Sequence, residues 1–97
     1  MQEAQIADIM ESNEENVAVQ GLALLYGKLK DKVEDPEDYN TFKCTSKVKN
    51  KLLSLKGGIN GFIVACGYTK NPSTNEYVFA GDISAVQKGL NVLKNVL

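Results

Sequence analysis

The chain reads as an α+β domain, mostly helical with a small antiparallel β-sheet, and three observations predict it. Apolar residues recur at three- and four-residue spacing through most of the chain, as at Leu22, Leu25, Tyr26, Leu29 and Val33, which is the period of an amphipathic helix. One stretch breaks that rhythm: Gly67-Tyr68-Thr69-Lys70, then the turn-rich Asn71-Pro72-Ser73-Thr74-Asn75, then Glu76-Tyr77-Val78-Phe79-Ala80 read as a β-hairpin. A lone hairpin is marginal in water, so one more short strand is expected to join it and helices to cover it. Ninety-seven residues with 43% apolar content suit one compact domain that closes a core without disulfide or metal staples.

The elements follow in order. Residues 1–14 read as an N-terminal extension or weak helix, amphipathic over 1–11 with Ile6, Ile9 and Met10 on one side and held loosely by the rest; residues 15–97 form the domain proper. A helix starts near Ser12 or Asn13, either of which can cap it ahead of glutamates in its first turn, and runs to about Val33. Glu34-Asp35-Pro36-Glu37-Asp38 breaks it; Asp35 can cap and Pro36 can open a short helical turn carrying Tyr39 and Phe42. Ser46 is the expected N-cap of a basic helix from Lys47 to about Leu55, with Leu52 and Leu53 inward, and Gly57 and Gly58 end it. Ile59, Phe62, Ile63 and Cys66 keep helical spacing until Gly67 stops it. After the hairpin, Asp82 or Ser84 caps a last helix whose inward stripe is Val86, Leu90, Leu93 and Leu97.

Several function classes fall away on composition. The longest uncharged stretch, Gly57 to Thr69, is short and broken by glycines, so no transmembrane helix is expected. The acidic start MQEAQIADIMESNEEN lacks the basic and apolar regions of a signal peptide, which makes cytoplasm or nucleus the expected compartment. Cys44 and Cys66 sit among apolar neighbours and are expected as reduced core thiols. Two cysteines and no histidine cannot supply the four ligands of a structural zinc site, so neither metal nor cofactor is expected.

Catalysis has little to stand on. There is no Gly-x-Ser-x-Gly elbow; Cys44, near Lys43 and Lys47, is a candidate nucleophile without a histidine base. The carboxylates of Glu34, Asp35, Glu37 and Asp38 fall on a surface turn, without the burial that raises a pKa for acid chemistry. Gly57-Gly58-Ile59-Asn60-Gly61 could cradle a phosphate, but it lacks the Lys-Ser/Thr ending and a preceding strand, and helix punctuation explains it. A non-enzyme with no small-molecule substrate is expected, and nothing demands more than a monomer.

Charge is lopsided. Residues 1–41 carry ten acids and three lysines (net −7), residues 42–97 eight lysines and two acids (net +6), and every basic residue is lysine. Lys43, Lys47, Lys49, Lys51 and Lys56 cluster. Lysine lacks the planar fork that reads phosphates and guanine edges, so the cluster suits loose attraction of an anion. A nucleic-acid backbone held by residues 43–56 is the alternative partner this permits. Tyr39, Phe42 and the lysines beside them are the exposed candidates for binding; Tyr39 either lines a groove or fills the gap between two helices.

The order Tyr39-x-x-Phe42-Lys43, then Leu53, then Gly58 and a helix ending in Cys66-Gly67-Tyr68 resembles the PUB (PUG) domain pattern. Leu24-Leu25-Tyr26 followed by Asp35-Pro36 is similar to the family's opening helix, and the hairpin and last helix continue the match, so the resemblance covers residues 15–97. It implies a helical α+β adaptor of the kind found in peptide N-glycanase, in UBX-containing cofactors and in a linear-ubiquitin ligase. The partner it implies is the acidic C-terminal tail, with a Leu-Tyr pair, of the AAA ATPase segregase valosin-containing protein, in ubiquitin and ER-associated degradation pathways. Carried over by position, Tyr39 falls on the groove tyrosine and Lys43 on its basic residue, with Phe42 beside them. Ser46 stands where the family has an asparagine that bonds the ligand backbone, and Asp31 where another groove asparagine is expected. Lys49 replaces a usually aromatic position.

Overall fold

The computed structural model describes residues 2–37 and 41–97. In chain order it has helix α1 (Gln2–Ser12), helix α2 (Glu15–Glu34), strand β1 (Thr41–Lys43), a short helix α3 (Ser46–Val48) that runs straight into a π-helical segment (Lys49–Leu53), helix α4 (Ile59–Ala65), strands β2 (Tyr68–Asn71) and β3 (Glu76–Phe79), and helix α5 (Ile83–Val96). The fold is α+β, mostly helical, with one three-stranded antiparallel sheet in the order β1-β3-β2.

The hairpin gains its third strand from the segment expected to be a helical turn. Phe42 lies in β1, paired with Tyr77 in register, and is only 6% exposed. Thr41-Phe42-Lys43 alternates exposed, buried, exposed, the two-residue period of a strand, and three residues are too few for that period to show in the sequence. What holds the strand is aromatic packing. The Phe42 ring stacks on Tyr77 with centroids 5.0 Å apart and meets the edge of Tyr68 at 5.2 Å, while Tyr68 meets Phe79 at 5.4 Å. Such pairs add about 0.5–1.5 kcal/mol each beyond the area they bury.

Helix α2 packs by its expected stripe: Leu22, Leu25 and Leu29 are fully buried, Tyr26 and Val33 partly so. Its start differs from expectation. Glu14 is the N-cap and makes no side-chain cap bond. Asn13 is committed elsewhere, its Nδ2 donating to the carbonyls of Ile9 (2.8 Å) and Lys56 (2.9 Å) and its Oδ1 accepting from the Lys56 amide (3.1 Å). The α1–α2 joint is thereby tied to the loop before α4. Near the other end of α2, Lys32 is 1% exposed, with its ammonium 4.4 Å from the centre of the Phe79 ring and donating to the Pro36 carbonyl. A buried lysine is tolerable when it is both bonded and faced by an aromatic ring.

The basic helix begins one residue earlier than the sequence suggests. Thr45, extended at φ −66° and ψ 172°, is the N-cap, its hydroxyl accepting from the Val48 amide at 3.3 Å. Cys44 still belongs to the sheet edge, its amide donating to the Asn75 carbonyl and its carbonyl accepting from the Asn75 side-chain Nδ2, so the first residue released to cap the helix is Thr45. Beyond α3, Leu52 and Leu55 are buried and Leu53 partly so. Gly21 lets α2 approach this segment closely, since a Cβ there would stand 2.2 Å from the Lys51 carbonyl oxygen.

Helix α1 is more firmly seated than its weak periodicity suggests. Ile6 and Ile9 are buried in the common core. The Gln2 side-chain amide donates to the carbonyls of Ala65 and Ala85, both at 3.2 Å, and so joins α1 to α4 and α5. Gly57, at φ +96°, lies so close to Asp8 that a side chain there would meet its carbonyl at 2.8 Å. In α5 the cap is Asp82, accepting from the Ser84 amide at 3.2 Å. The buried face is Val86, Gly89, Val92 and Leu93; Leu90 is only partly buried and Leu97 is 46% exposed beyond the helix end. The face turns because Gly89 admits Cys66, whose Sγ would lie 2.5 Å from a Cβ there. Among the described residues no helix is long and apolar enough to cross a membrane.

Candidate functional groove

Where α2 ends beside the sheet, the backbone leaves a groove of about 290 Å³ lined by Lys28, Asp31, Thr41, Phe42, Lys43, Thr45 and Tyr68. Three elements place these residues. Lys28 and Asp31, three apart on α2, share a helix face. Strand β1 contributes Thr41, Phe42 and Lys43, and Thr45 follows it as the cap of α3. Tyr68, the first residue of β2, closes the floor against Phe42.

The groove is aromatic below and polar around. Phe42 and Tyr68 are almost fully buried. Burial pushes the Tyr68 phenol up to about 12, so at neutral pH it keeps its proton. Its hydroxyl makes no hydrogen bond with the described residues, whereas the Tyr77 hydroxyl donates to Asn60 Oδ1 at 2.6 Å. Nor do the side-chain charges of Lys28, Asp31 and Lys43 find ion-pair partners among the described residues; Lys43 stands opposite Glu76 in register without bonding it. At 290 Å³ the groove lies at the low end of ligand pockets, which run to about 300–1,000 Å³, and so suits one or two side chains of a peptide.

Of the residues the sequence singles out, Asp31, Phe42 and Lys43 come together in this groove. Phe42 does so as a buried floor rather than as an exposed contact. Ser46 and Lys49 are exposed on the adjoining helical run and stand outside the lining. Tyr39 lies outside the described residues. Sequence reasoning missed Lys28, Thr41, Thr45 and Tyr68 as lining residues. Lys28 was reachable from its three-residue spacing to Asp31, and Thr45 from the choice of cap; Thr41 and Tyr68 become visible only once the β1-β3-β2 order is known.

Around the groove the electrostatics are simple. Lys43, Lys47, Lys49, Lys51 and Lys56 are all exposed. The two thiols are not surface groups: Cys44 is 5% exposed and Cys66 fully buried, and burial pushes the Cys66 thiol up to about 12. Thiolate chemistry needs the opposite environment. Among the described residues no cluster of His, Cys, Asp and Glu could hold a metal ion. Two further depressions, each of about 520 Å³, flank α5 where it meets α1; one is apolar, with Ala7, Met10, Val92 and Val96, and the other mixed, with Ala65, Ala85, Ser84, Lys88 and Asn91. Compared with known proteins, the chain matches no family model, and no curated protein matches it significantly.

Proposed function

We propose that this protein is a non-catalytic interaction module of the PUB type, and that the groove between α2, β1 and the start of α3 holds the C-terminal peptide of a AAA ATPase segregase resembling valosin-containing protein. The observation that carries the reading is the meeting of Asp31, Phe42 and Lys43 in one groove with Lys28, Thr45 and Tyr68. An aromatic floor takes an apolar or aromatic ligand side chain, and lysines at the rim draw an acidic tail by long-range attraction. The module acts as an adaptor, bringing the ATPase to a larger assembly in ubiquitin-dependent degradation in the cytoplasm or nucleus. So small a contact gives an affinity on the order of micromolar.

The test is fluorescence anisotropy with a labelled ten-residue acidic peptide ending in Leu-Tyr. Lys43→Glu reverses a rim charge on an exposed side chain, and is expected to weaken binding about tenfold at low salt while leaving the circular dichroism spectrum unchanged. Equal affinity of the two proteins would contradict this use of the groove. A second reading, a nucleic-acid backbone held by the lysines of residues 43–56, draws on their shared exposure. It predicts binding to any sequence with an affinity that collapses as salt rises.

A further inference from the structure

We infer that Asp31 makes the groove selective for a ligand of mixed charge: a peptide that sets a basic residue among its acidic ones, in preference to a uniformly acidic tail. The inference rests on the peptide-binding reading and names the ligand more narrowly. Its ground is the arrangement of charge. Asp31 lines the same small groove as Lys28 and Lys43, and its carboxylate has no ion pair or hydrogen bond among the described residues. It is not spent on the fold. At this helix end its backbone carbonyl accepts from the Asp35 amide at 3.0 Å.

Two lysines alone would make an indiscriminate anion site. With Asp31 of α2 lining the same groove, a ligand carboxylate gains from Lys28 and Lys43 and loses to Asp31, so the best occupant places its anion on the lysines and a cation on the aspartate. An ionised carboxylate only accepts hydrogen bonds, and a lysine or arginine side chain only donates them. A ligand lysine or arginine therefore answers Asp31, while the Tyr68 hydroxyl, without a hydrogen bond among the described residues, can serve either ligand charge. Selectivity arises as much from the repelled carboxylate as from the attracted cation. Because Asp31 and Lys43 are exposed, the discrimination is modest, about fivefold, at the upper end for solvent-exposed ion pairs.

The experiment compares a set of ten-residue peptides ending in Leu-Tyr: one acidic throughout its earlier part, and others in which lysine replaces each acidic residue in turn. Each is titrated into the wild-type protein and into Asp31→Asn, whose fold is checked by circular dichroism. One or more lysine-bearing peptides are expected to bind the wild type about fivefold more tightly than the acidic one. In Asp31→Asn that advantage disappears and the acidic peptide binds more tightly than it does to the wild type. Wild-type binding of the acidic peptide as tight as every lysine-bearing one, or a preference that survives in Asp31→Asn, overturns the inference and leaves the peptide-binding reading standing. If no peptide of the set binds the wild type, both fall.

Discussion

Phe42 shows how one side chain can serve both the fold and the groove. It is the only buried residue of its strand, it packs on Tyr68 and Tyr77, and it lines the groove. Phe42→Ala would open a cavity at the centre of the aromatic cluster, and the expected loss is about 3 kcal/mol, within the range for large-to-small core changes. A urea titration measures it; a loss under about 1 kcal/mol would mean that the cluster closes over the gap. The sequence points to Phe42 as a residue of interest but misreads its exposure. Three residues of alternation carry no visible period, and only the partner strand, some thirty-five positions later, reveals which side of Phe42 is covered. Lysines are easier to read, since an isolated ammonium is rarely buried; the exception is Lys32, which looks like its neighbours in the sequence and is enclosed by Phe79 and the Pro36 carbonyl.

Helices α2 and α5 were legible because long apolar stripes survive small errors of boundary, whereas caps turn on single residues. Asn13 and Ser46 are good capping types that the structure uses otherwise or leaves beside the real cap, and α1 was underrated because its hold comes from Gln2, Gly57 and two isoleucines rather than from a strong stripe. Glycines within α2 give a test at this scale. Gly27 has nothing within 4 Å of a Cβ, so Gly27→Ala is expected to raise stability by about 0.5–1 kcal/mol through helix propensity alone. Gly21→Ala would gain the same propensity but press a methyl group against the Lys51 carbonyl oxygen, a backbone atom that cannot rotate away. The expected net effect is a loss of about 1–3 kcal/mol. Urea midpoints for the two variants should move in opposite directions, and a shared gain would show that α2 and the π-helical segment do not pack so closely.

The Cα radius of gyration of 12.2 Å agrees with about 12.5 Å for a compact chain of this length, and among the described residues nineteen, drawn from every helix and strand, share one core. Its pH dependence follows from two buried acids of that core. Cys66 and Tyr68 each hold their proton up to about 12, against ordinary values of 9.0 and 10.0. Both folded pKa values are raised, so their contribution to stability is complete below about pH 9 and is lost as pH climbs towards 12. Urea midpoints should therefore fall between pH 9 and 11, and a flat profile would place these groups in water. The α+β class and the hairpin were legible because they depend on averaged pattern; the groove was legible only in part, because residues from α2, β1 and β2 meet there through strand order, which no local spacing records. Peptide binding in the groove is tested most directly by titrating isotope-labelled protein with the ten-residue acidic Leu-Tyr peptide and following backbone amide shifts. Shifts concentrated at Lys28, Asp31, Thr41, Phe42, Lys43, Thr45 and Tyr68 are predicted, saturating at micromolar concentrations; shifts confined to another face, or none, would contradict the groove as the site of binding.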